Sequence, residues 1–337
     1  MKIWHPEIFQ GNLRKKRYFE GWYFKIVDKT EKHAVAIIPG IALSPSHPHA
    51  FIQVLSSHNP TAHYFSFPTN AFTAAKNSFL VTIGDSSFSL AHLQLNVGSD
   101  SQKITANLSF SGAHGWPVRL FAPGAMGWYR FVPYMECYHG VLSFDHTIHG
   151  LLTLDGESID MTGGRGYIEK DWGASMPAAW IWMQTNHFAE KGVSLFGSVA
   201  KIPWVGSFFT GFIFGFYHQG QIYQFTTYSG ARITHLEVTE TFINLRLEDR
   251  VYTLDIEAKR ENGVDLPAPQ LGVMTSKVNE SLHSEIDVRL NNKKTGASLY
   301  TGVGRNAGLE FVGNTAEMLA GLRQTVIPKR SEGSRSA

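Results

Sequence analysis

Period-two alternation of apolar and polar residues is the dominant pattern along this chain of 337 residues. Short runs rich in Val, Ile, Thr and aromatic residues recur throughout, whereas helical periodicity is scarce. Turn sequences separate the runs, for example DGES (155–158), AEKG (189–192) and NNKKTG (291–296). The best helix candidate is TAEMLAGL (315–322). Many short strands separated by turns predict an all-β protein, either sandwich or barrel.

The predicted strands are too many for one small barrel, so we expect two antiparallel β-barrel or sandwich domains packed together. We place the boundary after residue 174, beside the stretch Gly173–Pro177. This gives an N-terminal domain at 1–174 and a C-terminal domain at 175–322. Residues 323–337 are polar and lack a pattern, so we predict a disordered tail there.

Composition excludes several classes of protein. The net charge of +2 and the lack of a long basic stripe argue against a nucleic-acid partner. A single cysteine, Cys137, allows no intramolecular disulfide, and we expect it to be a small buried apolar residue. The apolar run at 204–217 is shorter than a membrane-spanning helix and is interrupted by glycines. No secretory signal is visible, so we expect a cytoplasmic protein; peripheral membrane contact and the oligomeric state stay open.

The stretch GGRGYIEKDWG (163–173) places charges inside an aromatic strand pattern. If it is a strand, Glu169 and Asp171 share one face, and Lys170 and Trp172 share the other. Both faces cannot be buried at low cost unless the charges find partners. Either the carboxylates or the lysine must therefore meet water, a partner ion or a ligand.

The next predicted strand is AWIWMQTNHF (179–188). One of its faces carries two indoles followed by two amides: Trp180, Trp182, Gln184 and Asn186. Such a strand is typical of the wall of a site for a long apolar ligand with a polar head. On the other face, His187 is a candidate hydrogen-bond donor or acid–base group.

Two further stretches place a carboxylate beside aromatic residues. In GWYRFVPYMECYHG (127–140), we expect a strand broken at Pro133, after which Tyr134 and Glu136 share a face. In RYFEGWYFKIVD (17–28), Glu20 and Trp22 share a face.

An acid in an aromatic, apolar pocket has a specific chemistry. Burial raises the pKa of a carboxyl group, so it can stay protonated near neutral pH and protonate an alkene. Aromatic rings then stabilise the resulting cation. This suits cyclisation or hydration of a prenyl chain. The alternative is structural: the carboxylates pair with Arg130, Arg165 or Lys170, and the indoles are ordinary core.

No metal or phosphate-binding site is predicted. His47 and His49 have a ligand-like spacing but no third ligand nearby, and alternation scatters His139, His146 and His149 across two faces. GGRG (163–166) lacks the lysine and the following helix of a phosphate loop.

The blocks RYFEGWYFK, GWYRFVPYMECYHGVLSF and GGRGYIEKDWGASMPAAWIWMQTNHF resemble the bacterial branch of the tocopherol cyclase family. The resemblance spans most of residues 4–315. It implies two lipocalin-like β domains and a proton-initiated cyclisation of a prenylated phenol or hydroquinone, or of a related isoprenoid, without cofactor or metal.

Carried onto this chain, the resemblance implies Glu136, Glu169 and Asp171 as candidates for the catalytic acid. The implied substrate-binding residues are Trp128, Trp172, Trp180 and Trp182 as walls, with Gln184, Asn186 and His187 positioning the polar head. The pattern of carboxylates beside aromatic residues adds Glu20, Trp22 and Tyr134 to the substrate-binding candidates. Two alternatives remain open: a non-catalytic carrier or sensor of an isoprenoid or other hydrophobic small molecule, and a hydratase acting on an isoprenoid alkene.

Overall fold

The computed structural model describes residues 1–58, 60–99, 102–204 and 206–325, and these residues are almost entirely β-structure. The strands of the first half are β1 (Tyr18–Val27), β2 (Ala34–Leu43), β3 (His49–Ser56), β4 (Thr61–Pro68), β5 (Phe72–Ala74), β6 (Leu80–Ile83), β7 (Ser86–Ser89), β8 (His92–Ser99), β9 (Gln102–Ser111), β10 (Val118–Arg119), β11 (Ala122–Pro123), β12 (Cys137–Leu154), β13 (Glu157–Asp160) and β14 (Arg165–Gly173).

The second half continues the pattern and ends in one α-helix. Its elements are β15 (Trp180–Thr185), β16 (Ser194–Trp204), β17 (Ser207–His218), β18 (Gln221–Thr226), β19 (Arg232–Val238), β20 (Phe242–Glu248), β21 (Tyr252–Lys259), β22 (Val264–Gln270), β23 (Val273–Asn292), β24 (Ser298–Val312) and α1 (Thr315–Thr325). Short 3-10 helices lie at Lys2–Trp4, Thr69–Ala71 and Gly127–Phe131. No helix in the described ranges combines the length and the apolar character needed to cross a bilayer.

Two large antiparallel sheets contain nearly all of these strands. The first has the order β4-β3-β2-β1-β14-β12-β9-β8-β7-β6-β5, with β13 beside β12; the second has the order β18-β17-β16-β15-β24-β23-β21-β20-β19, with β22 beside β23. β10 and β11 form a separate hairpin. The predicted all-β fold of two packed antiparallel units is confirmed.

Each sheet curls around an apolar core of its own. Ile52 of β3, Val81 of β6 and Leu95 of β8 are far apart in the strand order, yet they belong to one buried cluster. Within the described residues, the outermost strands of each sheet do not pair with each other. The barrel form that the sequence left open is therefore not seen, because the curled sheets stay unclosed.

The two sheets pack face to face through a third apolar cluster. Val27, Ala36 and Leu55 of the first sheet meet Phe196 and Leu282 of the second in this layer. Because side chains alternate along a strand, β1 and β15 each send one set of residues into their own core and the other set into this layer. The strands that carry the site therefore lie at the interface between the sheets.

Three organisational predictions have different outcomes. The helix predicted at 315–322 is confirmed as α1. The proposed boundary after residue 174 falls between β14 and β15, but independent folding of 1–174 and 175–322 stays a prediction. Residues 323–325 of the predicted disordered tail belong to α1, and the rest of that tail lies outside the described residues.

Candidate active site

A cavity of about 200 Å³ lies between the two sheets. The first sheet contributes residues of β1, β2, β3, β12 and β14, and the second contributes residues of β15–β17 and β22–β24. Most of the wall is apolar and includes Phe19, Phe51, Met135, Ile202, Phe209 and Leu266. Such a lining suits an elongated hydrophobic ligand, because apolar surface of the ligand and the wall leaves water together.

Among the described residues, four carboxylates line this apolar cavity: Glu169, Asp171, Glu280 and Glu310. The first two lie on one face of β14, as the sequence pattern predicted. Glu280 of β23 and Glu310 of β24 are direct cross-strand neighbours. Two acidic groups from each sheet therefore converge on one space.

Glu169 is held by neutral donors and by a histidine. Tyr167 donates its hydroxyl to Glu169 Oε2 at 2.5 Å, and Trp182 donates its indole N–H to the same oxygen at 3.1 Å. His139 Nε2 lies 3.6 Å from that oxygen. Burial raises the pKa of Glu169 to about 7, although the charge of His139 opposes the rise. The carboxyl group therefore titrates near neutral pH.

His139 links Glu169 to the second carboxylate of β14. Its Nδ1 lies 2.9 Å from Asp171 Oδ1, and its ring stacks on Phe196 at a centroid distance of 4.8 Å. Burial disfavours the charged imidazolium, but Asp171 and Glu169 outweigh it and raise the pKa of His139. We predicted Cys137 to be a small buried apolar residue. It is instead a half-buried residue that lines the cavity, with its Sγ 3.7 Å from Asp171 Oδ1.

His139, Glu169 and Asp171 are also the residues of the cavity that could hold a metal ion. One ligand atom from each lies within 4.8 Å of the others. An imidazole with two carboxylates is a donor set that suits zinc or a similar divalent ion. Spacing along the chain does not reveal this grouping, because His139 lies on β12 and meets the two carboxylates of β14 only through strand pairing.

Glu280 differs from Glu169 in its hydrogen bonding. Tyr23 donates its hydroxyl to Glu280 Oε1, whereas Glu280 Oε2 is buried with no hydrogen-bond partner among the described residues. Burial raises the pKa of Glu280 to about 8. A protonated carboxyl group needs fewer hydrogen-bond donors around it than a carboxylate does. We therefore assign the proton to Glu280 Oε2, the oxygen without a hydrogen-bond partner in the described part of the chain.

Glu310 completes the acidic wall. Trp180 donates its indole N–H to Glu310 Oε2 at 2.6 Å. Burial, reinforced by the nearby charge of Glu280, raises the pKa of Glu310 well above its ordinary value. Of the four indoles predicted as walls, Trp180 and Trp182 line the cavity and donate hydrogen bonds to its acids, whereas Trp128 and Trp172 do not line it.

Sequence reasoning missed Tyr23, His139, Glu280 and Glu310. A weak signal existed for Glu310, which stands alone in the apolar run GLEFV (308–312). Glu280 and Glu310 reach the site only through the packing of the second sheet on the first. Spacing along the chain does not reveal that packing.

Glu20, Trp22 and Trp172 do not line the cavity, because they lie on the opposite face of β1 and β14. There the buried Lys170 Nζ lies 2.5 Å from Glu20 Oε1, and 4.7 and 4.8 Å from the ring centroids of Trp22 and Trp172. Lys170 also donates to the Pro6 carbonyl at 2.8 Å. The face opposite the acids therefore holds a structural ion pair, in which Lys170 has Glu20 as its partner and not one of the carboxylates that the sequence offered for that role.

The predicted strand through 127–132 is wrong. Gly127–Phe131 forms a 3-10 helix, in which Gly127 has a φ of +55° and a Cβ there would lie 2.5 Å from the Tyr228 ring. As a result Trp128 is exposed, Tyr134 is 99% exposed, and Glu136 is half-buried away from the cavity. Alternation would send the neighbours Trp128 and Tyr129 to opposite faces of a strand, whereas in this helix their rings stack on each other at 4.0 Å.

Gln184, Asn186 and His187 are buried but do not line the cavity. Gln184 Oε1 accepts a hydrogen bond from Lys25 Nζ at 2.8 Å. Asn186 Nδ2 donates to Asp145 Oδ1 at 2.9 Å. Burial lowers the pKa of His187 well below its ordinary value, so this imidazole is neutral. Gln184 and Asn186 therefore fasten β15 and the residues after it to the first sheet, and His187 pairs through its backbone with Arg305.

Known proteins resemble the chain in sequence and in fold. The chloroplastic tocopherol cyclase of Zea mays is 23% identical over 188 residues, which are 54% of this chain and 40% of that protein. The crystal structure of CghA with Sch210972 superposes with a TM-score of 0.56 at 10% identity, covering 88% of this chain and 89% of that one. Kievitone hydratase from Nectria haematococca gives a TM-score of 0.51 at 13% identity, covering 91% and 92%.

The two structural similarities show only a shared fold, because the sequence identities are 10% and 13%. The match to a family model shows membership of a family. A model described as tocopherol cyclase-like matches residues 90–313, a span that includes β12, β14 and every strand of the second sheet. All four acids of the cavity lie within that span. The chain therefore belongs to the tocopherol cyclase-like family.

Proposed function

We propose that the protein is a cyclase that closes a ring on a prenylated phenol or hydroquinone, or on a related isoprenoid. One observation carries the proposal: an apolar cavity between the sheets is lined by carboxyl groups whose pKa values are raised by burial. Those groups can supply and remove protons near neutral pH, where ordinary carboxylates cannot donate.

Glu280 is the best-placed proton donor. Its unpartnered Oε2 can carry the proton and deliver it to the alkene carbon of the prenyl chain. The electron pair of the double bond forms the new C–H bond and leaves a tertiary carbocation. Trp180 and Trp182 line the same cavity, and their rings stabilise such a cation.

Glu169 is the best-placed proton acceptor. The phenol oxygen attacks the cation to form the C–O bond, and its proton passes to the Glu169 carboxylate. Tyr167, Trp182 and His139 stabilise that carboxylate before the transfer. Solvent then returns a proton to Glu280 and removes one from Glu169. The substrate and the product are isomers, so no oxidant or reductant is consumed.

Incubation with a prenylated hydroquinone in D2O tests the reaction class. We expect a ring-closed product that carries one deuterium bound to carbon, measured by mass spectrometry. A product heavier by one water would indicate a hydratase, and bound lipid recovered unchanged would indicate a carrier. Dialysis against a chelator should leave turnover intact; loss of turnover that zinc restores would instead assign His139, Glu169 and Asp171 to a catalytic metal.

The rate should depend on pH with a maximum between about 7 and about 8. Below this range Glu169 gains a proton and can no longer accept one, and above it Glu280 loses the proton that it donates. The measurement is kcat/KM across the neutral range with a detergent-solubilised substrate. A rate that rises continuously with pH would contradict a donor of raised pKa.

A further inference from the structure

We propose that the end of the molecule that borders the cavity docks onto a lipid bilayer with anionic headgroups. The described residues include thirteen exposed large apolar side chains, and several of them lie at this end, whereas Leu151 and Val303 lie elsewhere. We call six of them the apolar rim: Val118, Leu120, Phe121, Trp128, Phe131 and Trp204. Scattered exposed residues need no explanation, but a contiguous patch on a globular protein does.

Contacts show that the rim is one patch. Leu120 and Phe121, which are 64% and 79% exposed, form the turn of the β10–β11 hairpin. Trp4 joins that hairpin to the 3-10 helix, because its indole donates to the Leu120 carbonyl at 3.2 Å and its ring meets Phe131 at 6.4 Å. On the same helix, Trp128 stacks on Tyr129 at 4.0 Å.

Tyr129 extends the patch to the second sheet and to the cavity. Its ring meets that of Trp204 edge-on at 6.3 Å and stacks on Phe209 at 5.8 Å. Tyr129, Phe209 and the nearby Met126 line the cavity. Exposed apolar surface is therefore continuous with the cavity wall, as expected where a lipid passes directly from a bilayer into a binding site.

Positive charge borders the rim. Arg119 is exposed within the β10–β11 hairpin, and the exposed run Arg14–Arg17 directly precedes β1. The start of β1 pairs with Gly173 at the end of β14, and Gly173 pairs with Cys137 at the start of β12. The basic run and the segment that carries the rim therefore adjoin the same ends of these neighbouring strands. Glu7, a nearby carboxylate, is paired with His5 at 3.0 Å.

This combination favours a bilayer over a second copy of the chain. Aromatic and aliphatic side chains insert at the headgroup level, and Lys and Arg add electrostatic attraction to anionic lipids. A symmetric dimer through the same surface would bring two basic runs together, which is unfavourable. The proposal concerns binding and does not depend on turnover.

Flotation with vesicles tests the docking surface. We expect the full chain to bind vesicles of equal parts phosphatidylcholine and phosphatidylglycerol more tightly than vesicles of phosphatidylcholine alone, and salt should weaken the difference. The variant Leu120→Ser/Phe121→Ser/Phe131→Ser should lose at least about tenfold in affinity. Replacing Arg14, Lys15, Lys16 and Arg17 with Gln should remove the preference for the anionic vesicles. Leu151→Ser/Val303→Ser, which changes exposed apolar residues elsewhere, should bind like the parent.

Three results would overturn the proposal: no binding of the parent to either vesicle, unchanged binding of the rim variant, or a dimer in light scattering that the rim variant dissociates. Circular dichroism and the unfolding temperature establish that each variant is folded. Turnover of a detergent-solubilised substrate is measured separately. Vesicle binding without turnover would contradict the proposed function alone, and turnover without vesicle binding would contradict the docking surface alone.

Discussion

Glu280→Gln is expected to lower the turnover of a prenylated hydroquinone by at least about a hundredfold. Gln keeps the shape of the side chain and its contact with Tyr23 but carries no acidic proton for the alkene. Because the alkene must be protonated before the ring closes, the loss should appear in kcat more than in KM. Single-turnover measurement of the ring-closed product is the appropriate assay, since it separates the chemical step from product release.

Two comparisons make this result specific. Glu285→Gln changes an exposed glutamate on the same strand, β23, and should leave turnover unchanged. Glu136→Gln tests the one of the three sequence-based candidate acids that lies outside the cavity. If Glu136→Gln abolishes turnover and Glu280→Gln preserves it, the assignment of Glu280 as the donor is wrong.

The stability of the same variant gives a readout without substrate. In the folded protein the pKa of Glu280 is raised to about 8 from an ordinary value of 4.5. The unfolded chain therefore releases this proton at a lower pH than the folded chain does, and the parent loses stability as pH rises through this range. Glu280→Gln has no such group. Its unfolding temperature relative to the parent should rise between about pH 5 and about pH 8.

Lys170→Met is expected to destabilise the protein by about 3–5 kcal/mol. Methionine has a similar length but cannot pair with Glu20, whose carboxylate is fully buried beside it. The variant also loses the hydrogen bond to the Pro6 carbonyl, which holds residues 2–11 against the first sheet. Urea unfolding followed by circular dichroism measures the change in the free energy of unfolding.

A double variant tests the physical cause of that loss. Glu20→Gln/Lys170→Met removes both buried charges and should be less destabilised than Lys170→Met alone. The matched control is Lys293→Met, because Lys293 pairs with Glu248 at 2.7 Å in a partly exposed position. That change should cost at most about 1 kcal/mol. Equal effects of Lys170→Met and Lys293→Met would contradict a structural role for the buried pair.

The sequence predicted the faces of β14 and β15 correctly. Alternation placed Glu169 and Asp171 together, and it placed Trp180 and Trp182 on the face that meets the first sheet. The prediction of strand faces is correct because side chains of an extended backbone alternate between its two sides, whatever surrounds the strand. The predicted turns at 155–158, 189–192 and 291–296 also contain or overlap the connections between paired strands, because local residues determine turn geometry.

The same reasoning could not tell a cavity from a core. Both faces of β14 are buried, and only the packing of the second sheet makes one of them a cavity wall. Trp172 and Trp180 are therefore equivalent as sequence features, yet one packs beside Lys170 and the other hydrogen-bonds Glu310. Glu280 lies on β23, far along the chain from β14, and the register of β23 brings it to the site. Alternation within one strand gives no information about that register.

The paired strands β1 and β14 act as a partition between two tasks. On one side of these strands lie the acids of the cavity. On the other side lies the ion pair of Lys170 and Glu20, which the N-terminal residues cover. Under the proposed function, substitutions at the odd-numbered positions of β1 should therefore change which substrate the cavity accepts, whereas substitutions at the even-numbered positions should change the stability of the fold. Mutational scanning of this strand should separate the two phenotypes with a period of two: selectivity at one parity, expression level at the other.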